Sequence, residues 1–283
     1  MQIRAISDVI SDLGEGPLWN PKNNSVIWTD ITQKTYHVAD FISGTTQSFP
    51  APSMIGALAL TKSEDLIAAT QEGFSSVSLS GIFTTLHKFL KSDMRMNDGK
   101  VDPVGRFWAG SLELSFEENR GSLYVLEKNG TYRTVIENLT LSNGMGWSPG
   151  GQYFYYIDSV PGILRRFDYE SNNGKIINPI DLVVFDTSQG IPDGMCVTSD
   201  GHIFVALWDG GRIEVYDPSG NKVSNIEVGV SRPTSCTFGG QNNKTLIVTT
   251  ASQGIDRIKE PLAGKVLAIN GLGFSGLPVQ RYG

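Results

Sequence analysis

A motif recurs six times along this chain, and its spacing restricts the fold more than any other feature. Each copy runs as a short anchor segment, an apolar strand, a polar turn, a second strand ending in a small or acidic residue, and a further turn and strand. GEGPLWNPKNNSVIWTDI, IGALALTKSEDLIAAT and NDGKVDPVGRFWAGS begin the first three copies; SNGMGWSPGGQYFYYIDS, PDGMCVTSDGHIFVALW and PTSCTFGGQNNKTLIVTTAS begin the rest. The anchors near Glu15, Ile55, Asn97, Asn143, Asp193 and Thr234 lie 40, 42, 46, 50 and 41 positions apart. Repeats of about 40–50 residues holding about four strands each are propeller blades. The chain therefore reads as all-β, a six-bladed β-propeller occupying residues 1–283 as one domain.

Turn chemistry agrees. Lys128-Asn129-Gly130, Ser148-Pro149-Gly150-Gly151, Asn172-Asn173-Gly174, Ser199-Asp200-Gly201 and Asp217-Pro218-Ser219-Gly220 interrupt β-branched and aromatic runs, as short strands require. The 32 glycines supply the positive φ that such turns use. The stretch SSVSLSGIFTTLHKFLK, the best helical candidate, reads better as two strands around Ser80-Gly81. A ring must also close, and a strand within residues 3–10 is expected to pair with residues 265–269, removing two sheet edges.

A formal net charge of −6 argues against nucleic acid as a partner. No run of about 18 apolar residues and no signal-peptide core is present, so neither a membrane nor an export role is expected. A cytoplasmic monomer is the expectation. Cys196 and Cys236 lie in apolar strand-like runs and read as buried free thiols.

In a propeller the innermost strand of each blade lines the central channel, so the repeat starts converge on the axis. Those starts carry Glu15, Arg95 with Asn97, Asn143 and Asp193. Taken singly, Asn97–Gly99, Asn143-Gly144 and Pro192–Gly194 are ordinary turn formers. Glu15 between two glycines is not, and polar residues at one phase of four repeats point to a shared site. Two carboxylates and an amide form an all-oxygen set that suits one divalent ion, Ca, Mg or Mn, with Zn or Fe accepted less selectively. His37, His87 and His202 are scattered, and there is neither HExxH nor GxSxG. Asp30, Asp158, Asp168 and Asp217 end second or third strands and read as turn caps. Trp19, Trp28, Trp108 and Trp147 read as packing between sheets, with Trp208 able to approach the channel mouth.

Through the segments GEGPLWNPKNNSVIWTDI, RMNDGKVDPVGRFWAGS, GSLYVL, SNGMGWSPGGQYFYYIDS, IPDGMCVTSDGHIFVALWDGGRIEVYDP, PTSCTFGG and PLAGKVLAINGLG, the chain resembles the senescence marker protein/regucalcin/gluconolactonase family from end to end. The resemblance implies a metal-dependent lactonase acting on sugar lactones such as gluconolactone. By that likeness Glu15, Asn143 and Asp193 match metal ligands, and Arg95 and Asn97 match substrate contacts, Asn97 also lying near the metal. The family's acidic substrate residue falls in LELSFEENR, where Glu113 is the best match and Ser115 the alternative. A mechanism follows in which Asp193 is the general base. Two other readings share the ligand set: another metal-dependent esterase or phosphotriesterase, and a calcium-binding regulatory protein.

Overall fold

The computed structural model describes residues 1–283. It contains six four-stranded antiparallel sheets and, apart from two single 3₁₀ turns at Thr187–Gln189 and Gln241–Asn243, no helix. The innermost strands are Gly14–Asn20, Ile55–Leu60, Met94–Val101, Ser142–Trp147, Ile191–Val197 and Pro233–Gly239, each the first of its blade in chain order. The blades are numbered one to six in that order. SSVSLSGIFTTLHKFLK forms two strands, Gly73–Val77 and Phe83–Lys88. No helix is long and apolar enough to cross a membrane.

Blade six is completed by the other end of the chain. Its sheet order places Gln2–Ala5 outside Leu267–Asn270, with Ile3 opposite Ile269. The expected closure is present, in a shorter strand than the 3–10 window, because the chain turns inward at the buried Ile6 and Ser7. At the far end, residues after Asn270 cross the ring as a tail. Tyr282 bridges to Thr61, Gly276 bridges to Thr198, and the Tyr282 hydroxyl donates to the Glu127 carbonyl at 2.9 Å.

Apolar packing lies between blades. Six buried clusters occur, one at each blade interface; Trp19, Trp28, Val26 and Ala268 join blades one and six, and Trp108, Met145, Trp147 and Phe154 join blades three and four. Four tryptophans are thus core, as the repeat phase implies, while Trp208 is partly exposed beneath the Arg232 guanidinium, 4.6 Å from the ring centroid. Asp30 accepts from the Asp12 and Leu13 amides, Asp158 from those of Thr140 and Leu141, and Asp217 from those of Ser219 and Asn221. Asp168 departs from the capping role, accepting instead from the Asn178 side chain on the outer strand.

Removing Met1–Ser7 leaves Leu267–Asn270 as a raw edge. The truncated protein is expected to melt at lower temperature and to self-associate, read by thermal melting with light scattering. A monodisperse truncation with an unchanged melting temperature would contradict ring closure as a source of stability.

Candidate active site

Every innermost strand carries an extra residue at the same place. Between Glu15 and Leu18, Met96 and Gly99, Ser142 and Met145, and Pro192 and Met195, the register against the second strand shifts; shorter shifts occur at Ile55/Ala57 and Pro233/Ser235. These are β-bulges, which bend a strand, free its residues from the ladder and re-aim side chains. Glu15, Asn97, Asp98, Asn143 and Asp193 all sit at them. The glycine-bearing segments are therefore strand bulges rather than turns.

Glycine is needed where bulges of adjacent blades touch. A Cβ on Gly144 would lie 2.7 Å from the Asp193 carbonyl oxygen, and one on Gly194 would lie 2.1 Å from Ser235 Oγ. The missing side chain lets backbones from neighbouring blades meet at the axis.

The structure brings Glu15, Arg95, Asn97, Asn143 and Asp193 together, all buried. A directed chain of hydrogen bonds orients them. Arg95 Nη1 donates to Asn97 Oδ1 at 2.7 Å; Asn97 Nδ2 donates to Asn143 Oδ1 at 3.0 Å and to the Ser142 carbonyl; Asn143 Nδ2 donates to Ser159 Oγ at 2.9 Å. Ser159 in turn donates to the Pro192 carbonyl, beside Asp193. Both amides are thereby held in one orientation, and Asn143 Oδ1, which accepts a single bond, keeps a lone pair to offer. Arg95 makes no side-chain bond through Nε or Nη2, so both remain free donors.

Electrostatics mark the site as short of positive charge. Burial and repulsion from Asp193 and Asp98 hold the Glu15 carboxyl well above the usual range. Burial and Asp98 do the same to Asp193, against Asn143 and Arg95. Burial raises Asp98 to about 6 despite Lys100 and Arg95, and burial lowers Arg95 to about 10 against the three acids. Three carboxylates thus face two cations, Arg95 and Lys100. Charges this deep are costly unless compensated. A divalent cation held by the oxygens of Glu15, Asn143 and Asp193 would supply the compensation, so the residues present fit a metal. No three His, Cys, Asp or Glu side chains group closely enough to hold an ion without the amide.

Glu113 ends the second strand of blade three, its Oε2 accepting from the Ser115 amide and hydroxyl at 2.7 Å each and from the Glu117 amide at 3.2 Å. These bonds hold its carboxyl below the usual range, led by the Ser115 hydroxyl. The Ser115 hydroxyl proton is spent on this bond, whereas Glu113 Oε1 carries none; of the two alternatives Glu113 is the one that keeps a free carboxylate oxygen.

Asp98, Lys100 and Ser159 went unrecognised in the sequence. Strict strand alternation points Asp98 away from Asn97's side, and the bulge cancels that rule. Lys100 donates to the Met195 carbonyl at 2.8 Å, reaching from blade three to blade five. Beyond Asp98 a cavity of about 250 Å³ continues, lined by all six inner strands and by tail residues 276–280. Glu15, Arg95, Asn143 and Asp193 do not line it. They lie toward the face of the ring where the inner strands begin.

Comparison with known proteins agrees with the fold. Residues 13–252 match the family model described as the SMP-30/Gluconolactonase/LRE-like region. The chain belongs to this family. Among relatives of the SMP-30/gluconolactonase family, regucalcin from Gallus gallus is 36% identical over 278 residues, 94% of this chain and 93% of its own. The Bacillus subtilis (strain 168) protein YvrE, provisionally named a sugar lactone lactonase, is 33% identical over 267 residues, 91% of each chain. The solved structure described as a calcium-binding protein, regucalcin, from Agrobacterium tumefaciens str. C58 superposes with a TM-score of 0.94 at 25% identity, covering 100% of this chain and 97% of that one.

A carboxyl whose folded pKa is raised binds more protons folded than unfolded, so its contribution to stability falls as pH rises between the two values. For Asp98 that window runs from about 4, its unfolded value, to about 6. Metal-free wild-type protein should therefore lose stability relative to metal-free Asp98→Asn as pH rises from 4 to 7, by up to about 3 kcal/mol. Chemical denaturation at both pH values checks this; a pH-independent difference would contradict the buried charge.

Proposed function

We propose that this chain hydrolyses sugar (aldono-) lactones, using one divalent metal ion held by Glu15, Asn143 and Asp193. The observation carrying this reading is the meeting of two buried, mutually repelling carboxylates with an oriented amide at the bulges of three blades. Membership of the SMP-30/gluconolactonase family and likeness to a protein named as a sugar lactone lactonase support it. Calcium is the first metal to try, because the all-oxygen set suits a hard cation and the similar Agrobacterium protein is described as calcium-binding.

When bound, the cation supplies Lewis acidity toward the lactone carbonyl and compensates the carboxylates. The residues do the rest. Asp193 accepts a proton from water as the water oxygen bonds to the carbonyl carbon. The ring C–O bond then breaks, and the proton passes from Asp193 to the departing alkoxide oxygen, giving the open hydroxy acid. Arg95, through its free Nε and Nη2, and Asn97 hold substrate hydroxyls and orient the ring. Glu113 Oε1 is the third substrate contact. The relay from Arg95 through Asn97, Asn143 and Ser159 keeps these groups in register before substrate arrives.

A second reading, metal binding without turnover, draws on the calcium-binding description of the Agrobacterium relative. A pH-indicator assay separates the two. Metal-stripped protein is given each divalent ion in turn, with gluconolactone, xylonolactone and arabinonolactone as substrates. The lactonase reading expects metal-dependent turnover, a loss of about 10²–10⁴-fold in kcat for Asp193→Ala with metal still bound, and mainly a raised KM for Arg95→Ala. Metal binding without hydrolysis of any lactone would favour the second reading. Full turnover by Asp193→Ala would remove Asp193 as the base.

A further inference from the structure

The two cysteines of this chain, 40 positions apart, meet on adjacent blades. Cys196 of blade five and Cys236 of blade six place their sulfurs 3.4 Å apart, at van der Waals contact, with both thiols free. Both residues line the cavity below the site, which is partly open to solvent. We propose that Cys196 and Cys236 form a peroxide-sensitive dithiol that closes to a disulfide joining blades five and six.

The surroundings give the two sulfurs different parts. Cys236 donates its S–H to the Phe204 carbonyl at 3.5 Å, and burial together with the neighbouring Cys196 pushes its thiol up. Cys236 therefore stays protonated. Cys196 is the more exposed of the two, 5% against 1%, and its sulfur is not tied to a carbonyl. Cys196 is the attacking sulfur and Cys236 the resolving one.

The chemistry balances with hydrogen peroxide as oxidant. Cys196 sulfur bonds to one peroxide oxygen, the O–O bond breaks, and the departing hydroxide takes a proton to become water. Cys236 sulfur then bonds to Cys196 sulfur, the S–O bond of the sulfenic acid breaks, and the second hydroxide leaves with the Cys236 proton. Two thiols lose two electrons and two protons, and one peroxide becomes two waters. The remaining movement is short, since a disulfide needs about 2.05 Å between sulfurs.

The test uses the full-length protein. Native protein is incubated with hydrogen peroxide, denatured in acid, alkylated with iodoacetamide, and weighed intact before and after dithiothreitol. The expected result is loss of the mass of two hydrogen atoms, no alkylation, and recovery of two alkylated thiols on reduction. Peptide mapping should join the segments holding Cys196 and Cys236, and the oxidised form should melt up to about 5 °C higher. In Cys236→Ser, dimedone should capture a sulfenic acid at Cys196, and in Cys196→Ser none at Cys236. Two alkylatable thiols after peroxide treatment, or oxygen added to either sulfur without the cross-link in wild-type protein, would overturn the proposal.

Discussion

The extra residue in each innermost strand is the constraint on which the site depends. An undisturbed strand points alternate side chains to its two faces and ties its backbone into the ladder. A propeller built only of such strands would fill its axis with whatever the alternation supplied. Here the bulges fall at one height in all six blades. They release Glu15, Asn97, Asp98, Asn143 and Asp193 from the pleat near the axis, where residues from four blades meet. The apolar packing between blades, and the closure of blade six by Gln2–Ala5, hold that height fixed.

Having brought the acids together, the fold does not neutralise them with protein groups. Arg95 is the only buried cation at the centre, and it is committed in part to Asn97 and the Met96 carbonyl. Lys100 leans on Met195. Contrast Arg106, which is matched against Asp102 and Glu127 and supported by Tyr169 and two carbonyls between blades three and four. That outer network is complete, as a structural ion pair must be to avoid a desolvation penalty. The central one is incomplete, and that shortfall is the basis on which an ion is proposed there.

Much of this was legible in the sequence because a propeller writes its period in turns and anchors. The spacing from Glu15 to Thr234 gave six blades, and phase alone selected Glu15, Asn97, Asn143 and Asp193 as neighbours. The same arithmetic could have found the cysteine pair, since Cys196 and Cys236 stand one repeat apart just after the Asp193 and Thr234 anchors. The bulges were harder to see. Their glycines are indistinguishable in sequence from turn glycines, and only the register against the second strand separates them. Asp98 was hidden for that reason, and the occupation of Glu113 Oε2 by its own loop depends on a backbone path that no spacing encodes. Ser159 carries no signal beyond following a strand-ending acid.

The central claim is that these bulges assemble one ion site from three blades. Isothermal titration of the metal-stripped protein with calcium tests it most directly, alongside Glu15→Gln and Asp193→Asn. The account predicts one ion bound per chain, with proton release near pH 6, and at least a tenfold loss of affinity in each variant. Wild-type affinity in both variants would show that the carboxyl groups of residues 15 and 193 do not share an ion, and would contradict the account.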